Sequence, residues 1–281
     1  MTYTCFDVET SNHLAHVRMI RPERANSMIP EFWQELPEIV DQLSAGGDAR
    51  VIVLSAEGRH FCSGMDLSVF AGNNNVSSQE HSKHGSRQRA ALRSGVLELQ
   101  RTFSCLEESR LPVLSAIQGA CIGGGIDMVS ATDLRYATED AFFCIQEINI
   151  GMTADVGTLQ RMPKLVPEGV VRELAYTGRN MAAAEAKERG FINETYGDQD
   201  EMLEAVLEIA GEIASKSPMA IWGTKRTLNY GRDHSVADGL EYIATWNAAM
   251  FDTDDMAEAF RAGTEDRDAE FPDHRPLREG L

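Results

Sequence analysis

Three acidic residues stand in apolar surroundings, where a carboxylate is costly. Asp127 lies in Gly125-Ile126-Asp127-Met128-Val129, Glu147 in Ile145-Gln146-Glu147-Ile148, and Asp155 in Thr153-Ala154-Asp155-Val156-Gly157. A carboxylate removed from water must find a partner or serve a reaction. Taken singly, each also suits a turn or a cap, and Asp155, just before Val156-Gly157-Thr158, fits a helix N-cap. Together with two glycine-rich segments, the three make a stronger case for function than any one of them alone.

Two glycine-rich segments accompany them. The first, Gly58-Arg59-His60-Phe61-Cys62-Ser63-Gly64-Met65-Asp66-Leu67, follows the apolar run Val51-Ile52-Val53-Leu54. Glycine lets the backbone turn sharply and brings N–H groups close to a ligand, although an unliganded strand-to-helix turn reads the same way. The second, Gly119-Ala120-Cys121-Ile122-Gly123-Gly124-Gly125, stands at an expected helix start. Consecutive glycines cost about 1 kcal/mol each inside a helix, so a compensating role is expected. Bare N–H groups at a helix N-terminus form an anion site, whereas the G-x-G-x-x-G spacing of a dinucleotide fold is absent.

Other polar residues carry less. His81 and His84 could pair on a metal, but they sit in a polar stretch and no metal is expected. Arg59 and His60 adjoin the first loop and are candidates for contact with an anionic ligand, as are Lys225 and Arg226 on a late helix, although these two read more readily as solvated surface charge. The cysteines at 5, 62, 105, 121 and 144 are irregularly spaced, which argues against a disulfide framework or a zinc site and for reduced, buried thiols. A net charge of −18 opposes association with nucleic acid or an anionic membrane. With neither a leader-like N-terminus nor a peroxisomal ending at Arg278-Glu279-Gly280-Leu281, a cytoplasmic protein is expected.

The elements that must position these residues alternate at first. Strands are expected over Tyr3–Glu9 and His13–Ile20, a helix from Pro30 to Ser44 with a kink or break at Pro37, and a doubly covered strand at Val51–Leu54. Residues 71–79 read as a mobile loop. A helix over 86–109 should bury Leu92, Val96, Leu99, Phe103 and Leu106. Strands follow at Val113–Ile117, Leu134–Tyr136 and Phe142–Ile145, and then helices alone, beginning with Gly157–Leu165. This predicts an α/β core over 1–199 and a helical region over 200–281.

From the N-terminal strands to about Tyr230 the chain resembles the crotonase (enoyl-CoA hydratase/isomerase) superfamily, on Phe61-Cys62-Ser63-Gly64-Met65-Asp66-Leu67 and Gly119-Ala120-Cys121-Ile122-Gly123-Gly124-Gly125. The resemblance implies a spiral of ββα units with a helical C-terminal trimerisation region, assembled as a trimer or a hexamer. It implies an oxyanion hole from the N–H groups of Met65 and Gly124, each donor worth about 3–4 kcal/mol. Ser63, Gly64, Met65, Asp66, Leu67 and Gly124 would bind the acyl-CoA. Hydratases carry two glutamates, matching positions 127 and 147. Asp127 in place of the first, with Asp155 added in Ala154-Asp155-Val156-Gly157-Thr158-Leu159-Gln160-Arg161, is similar to the Δ3,5-Δ2,4-dienoyl-CoA isomerase subfamily. Asp127, Glu147 and Asp155 are then the expected catalytic carboxylates, with Glu147 at C2 and Asp155 at C6, or the reverse. No cofactor is expected, since the thioester and the oxyanion hole activate the substrate. The alternatives are a 2-enoyl-CoA hydratase and a non-catalytic acyl-CoA- or RNA-binding relative.

Overall fold

The computed structural model describes residues 2–66, 69 and 85–277, so Leu67, the stretch 71–79 and the histidine pair at 81 and 84 lie outside the described residues. The chain opens with strands β1 (Phe6–Ser11) and β2 (Leu14–Met19), paired as an antiparallel hairpin. Its turn residues Asn12 and His13 take φ of 49° and 63°, the left-handed pair that matches strand twist. Helix α1 (Pro30–Gly46) leads to β3 (Val51–Ala56) and α2 (Gly85–Glu108). Strands β4 (Val113–Ile117) and β5 (Ala120–Ile122), helix α3 (Gly124–Ser130), and strands β6 (Leu134–Thr138) and β7 (Phe142–Cys144) follow. Helices α4 (Thr158–Arg161) and α5 (Glu168–Thr177), strand β8 (Met181–Ala182), helix α6 (Ala183–Glu188) and strand β9 (Glu194–Tyr196) complete the sheet-bearing part. Helices α7 (Gln199–Ala214), α8 (Pro218–Asp233), α9 (Val236–Met250) and α10 (Thr253–Glu265) close the chain.

Six strands form one sheet in the order β1-β2-β3-β4-β6-β9, parallel from β2 onward. A second, three-stranded sheet has the order β5-β7-β8. The continuous apolar runs are explained by cover on both faces. Ile52 and Leu54 of β3 point into the main core beside Phe32, Leu36 and Phe103, while Val51 and Val53 meet Met202, Val206 and Ala210 of α7. The first helix of the C-terminal region thus lies directly on the sheet. Among the described residues, no helix is long and apolar enough to cross a membrane.

Several expectations are corrected. Pro37 does not split α1, which runs through it. The carbonyl of Trp33, left without its Pro37 N–H donor, accepts a hydrogen bond from Thr102 Oγ1 at 3.1 Å, so the defect is repaired by α2. The N-terminal part of α2 is not a buried face: Leu92 is 64% exposed, and burial starts at Thr102 and Phe103. Helix α4 ends at Arg161, and Met162–Lys164 continues as a 3₁₀ turn where Pro163 supplies no N–H. Strands β5, β8 and β9, of two or three residues each, were not expected, being too short to show a period of two. Lys225 is not solvated surface charge. It is 5% exposed, and its ammonium donates to Asp133 Oδ2, Leu106 O and Leu111 O at 2.7–2.8 Å. Arg226 is exposed as expected. All five cysteines are free and buried, also as expected.

Candidate active site

The two glycine segments meet along extended backbone. Cys62 N–H donates to Ala120 O, and Ile122 N–H returns a bond to Cys62 O, both at 3.0 Å. On its other side the first loop pairs with Met28, whose N–H donates to Gly64 O at 2.9 Å and whose carbonyl accepts from Asp66 N–H at 3.0 Å. Backbone groups alternate in direction along an extended segment, so with 64 and 66 turned to Met28 the N–H of Met65 is turned away. Gly64 has φ +86°, and a Cβ on it would lie 2.9 Å from Ile122 O, so glycine is required there. Gly124 begins α3 after Gly123, whose φ of +53° bends the chain into the helix. Its N–H is one of the orphan donors of a helix start. Among the described residues neither Met65 N–H nor Gly124 N–H has a backbone acceptor.

Both donors line a cleft of about 670 Å³ with Ser63, Gly64, Asp66, Glu147 and Asp155. Trp33, Ile122, Ile150, Met152 and Val156 supply its apolar walls. Glu147 starts a 3₁₀ turn after β7, and its Oε1 lies 3.3 Å from where a Cβ on Gly123 would stand, beside the second glycine loop. Its Oε2 is buried without a hydrogen-bond partner. Burial first, and then the charges of Asp127 and Asp155, push the carboxyl up to about 7. Asp155 sits half-buried on the connection into α4. Asp127 does not line the cleft. It is 0% exposed, and burial raises it to about 6, opposed by a 2.6 Å bond to its Oδ1 from Thr158 N–H, while its Oδ2 has no partner. Asp127, and not Asp155, therefore satisfies the N-terminus of α4; the helix is capped from a neighbouring element instead of from its own chain.

The geometry brings together Met65, Gly124, Ser63, Gly64, Asp66, Glu147 and Asp155, and places Asp127 next to them in the core. Asp66 accepts from Ser27 Oγ at 2.8 Å. His60 turns inward, its Nδ1 accepting from Ala120 N–H at 3.2 Å, while Arg59 is exposed. Burial pushes the Cys62 thiol up to about 12, so it stays protonated and supplies no nucleophile. Sequence reasoning missed Trp33, Ser27 and Met152, which come from segments remote from either glycine loop. It also missed Gln100 and Arg161. Arg161 sits three residues beyond Thr158, and nothing in the sequence marks it off from a surface arginine. Among the described residues, no group of three or more histidines, cysteines and carboxylates could hold a metal ion.

Paired free N–H donors beside two carboxyls are an arrangement that can polarise a carbonyl and move protons on the carbons attached to it. The sequence profile of the enoyl-CoA hydratase/isomerase family matches residues 9–274, and the chain belongs to that family. A crystal structure of an enoyl-CoA hydratase from Bacillus anthracis superposes with a TM-score of 0.84 at 29% identity, covering 96% of this chain and 99% of that one. The expected crotonase-like α/β fold is the one observed. More similar in sequence is the mitochondrial Delta(3,5)-Delta(2,4)-dienoyl-CoA isomerase of Mus musculus, 43% identical over 257 residues, which are 91% of this chain and 78% of the mouse protein. The peroxisomal protein of the same name from Arabidopsis thaliana is 40% identical over 253 residues, 90% of each chain. These names overturn the cytoplasmic expectation, since such relatives are organellar. The expectation rested on the two ends of the sequence lacking an address, and such an absence does not fix a compartment.

Proposed function

We propose that this protein converts a 3,5-dienoyl-CoA into the 2,4-dienoyl-CoA. The observation that carries the reading is that Glu147 and Asp155, two separate carboxyls, share one apolar cleft with the free N–H groups of Met65 and Gly124. In this scheme the thioester oxygen lies between the two N–H donors. Ionised Glu147 takes a proton from C2, and the released electron pair forms C2=C3 by way of the thioester dienolate. The C3=C4 pair shifts to C4=C5, and the C5=C6 pair takes a proton at C6 by way of the Asp155 carboxyl. One proton leaves and one enters, so the substrate keeps its composition. Exchange with solvent then restores the starting protonation of the two carboxyls.

The placement of Glu147 beside Gly123 supports its assignment to C2, the carbon next to the thioester. Its raised pKa supports it further, because a base near 7 is better matched to a C–H acid than an ordinary carboxylate. Asp127 holds the start of α4 and adds negative charge behind Glu147. The scheme calls for no metal or redox cofactor, and for acyl-CoA as partner, with no nucleic acid or membrane. Assembly as a homotrimer, or a hexamer of paired trimers, belongs to the same proposal. The apolar side chains left open on the last helices, Leu228, Val236, Leu240 and Phe260, support it, each 64–81% exposed. Replacing Asp155 by Asn tests the carboxylate roles: formation of the 2,4-dienoyl product should fall by on the order of 10³-fold or more. An unimpaired Asp155→Asn enzyme would remove Asp155 from the chemistry.

A further inference from the structure

The segment that carries Asp155 is held by a row of polar side chains on α2. Gln100, Ser104 and Glu107 stand at i, i+4 and i+7, one stripe of that helix. Gln100 Nε2 donates to the carbonyl of Asp155 itself at 2.7 Å. Ser104 Oγ and Glu107 Oε2 accept from Arg161 Nη2 and Nε at 3.0 and 2.8 Å. The same guanidinium reaches back, its Nη1 donating to Val156 O at 3.3 Å. Gly157 makes room for it: the residue has φ +139°, and a Cβ there would collide with Arg161 Nη1. Arg161 and Glu107 are 11% and 16% exposed at their side chains, and Arg232 adds a second charge on Glu107 Oε1 at 2.8 Å. The backbone from 155 to 158 is thus fixed by Gln100 at one carbonyl, by Arg161 at the next and by Asp127 at the N–H of Thr158. Glu147, after β7, receives none of these bonds.

We propose that Gln100 and Arg161 are positioning residues for Asp155 alone, so that α2 sets the C6 end of the reaction independently of the C2 end. This rests on the dienoyl isomerase reading above. A proton donor must sit within about 3.2 Å of the carbon or proton it serves, and a displacement of about 1 Å can cost on the order of 10²-fold in rate. Removal of the Gln100 amide frees the carbonyl of Asp155 to rotate, and the carboxyl swings with it.

The test separates the two ends. Gln100→Met keeps length and helix propensity at a half-buried site and removes only the donor. Two rates are measured on a 3,5-dienoyl-CoA in deuterated water: appearance of the 2,4-dienoyl product, and uptake of deuterium at C2 of recovered substrate. Asp155→Asn is the reference for a severed C6 end. In Gln100→Met, product formation should fall on the order of tenfold or more, with C2 exchange and KM within about twofold of wild type. Gln100→Lys, which retains a long donor, should recover most of the loss. Arg161→Met should show the same split, with a lower melting temperature because Glu107 loses a partner. Equal loss of both rates in Gln100→Met, or no loss of either, would overturn the proposal. Absence of product with the wild-type enzyme would instead refute the dienoyl reading, so the two failures are distinguishable.

Discussion

Replacing Asp127 by Asn should remove a loss of stability that sets in as pH rises through about 4 to 6, and shift the activity of Glu147, although residue 127 does not line the cleft. The carboxyl is fully buried and raised from 3.8 to about 6, mainly by burial. Between those values the unfolded chain has lost a proton that the folded chain keeps, so stability falls as pH rises through that window. Above it the ionised form costs about 3 kcal/mol of folding free energy, at about 1.4 kcal/mol per unit. Asn keeps an acceptor for Thr158 N–H, while its amide group, placed near the unpartnered Oδ2 position, costs about 1–3 kcal/mol at every pH. The informative quantity is therefore the difference between pH values. Unfolding free energies of wild type and Asp127→Asn, from urea titrations between about pH 4 and about pH 8, should diverge in favour of the variant by about 3 kcal/mol. Because the Asp127 charge helps hold Glu147 high, the acidic limb of the rate profile should also move to lower pH. A constant stability difference across the range, or a limb that moves upward, would refute the buried-charge account.

Two further substitutions probe the frame of the site. Gly64→Ala places a side chain at φ +86° and against Ile122 O, which should displace Met65 N–H and lower kcat on the order of 10²-fold, measured beside KM for the same substrate; full activity would remove Met65 from the oxyanion hole. Lys225→Met strands Asp133 and two carbonyls, and urea titration should show a loss on the order of 3 kcal/mol, moderated because Asp133 is 28% exposed. A loss below about 0.5 kcal/mol would mean that water replaces the ammonium there.

The parts of the site legible in the sequence were those marked by local chemistry. Glycines at 64 and 123–124 announced close backbone approach, and acids at 127, 147 and 155 announced themselves by their apolar neighbours. Their division of labour was not legible. Asp127 caps α4 across 31 positions of sequence, and Gln100 grips Asp155 across 55, so no spacing rule links either pair. Pro37 failed as a helix breaker because its defect is repaired by Thr102 from another helix. Lys225 looked like surface charge because its partners, Asp133 and the carbonyls of Leu106 and Leu111, come from distant segments. Long-range polar contacts leave no periodicity behind, whereas apolar faces do.

The most direct test of the central claim follows the ultraviolet spectrum of a 3,5-dienoyl-CoA mixed with the wild-type protein, beside a 2-enoyl-CoA under the same conditions. The two-carboxyl cleft predicts rapid growth of the conjugated 2,4-dienoyl thioester band, with little loss of the enoyl absorbance. Loss of the enoyl absorbance with no 2,4-dienoyl product would contradict it and make this protein a hydratase.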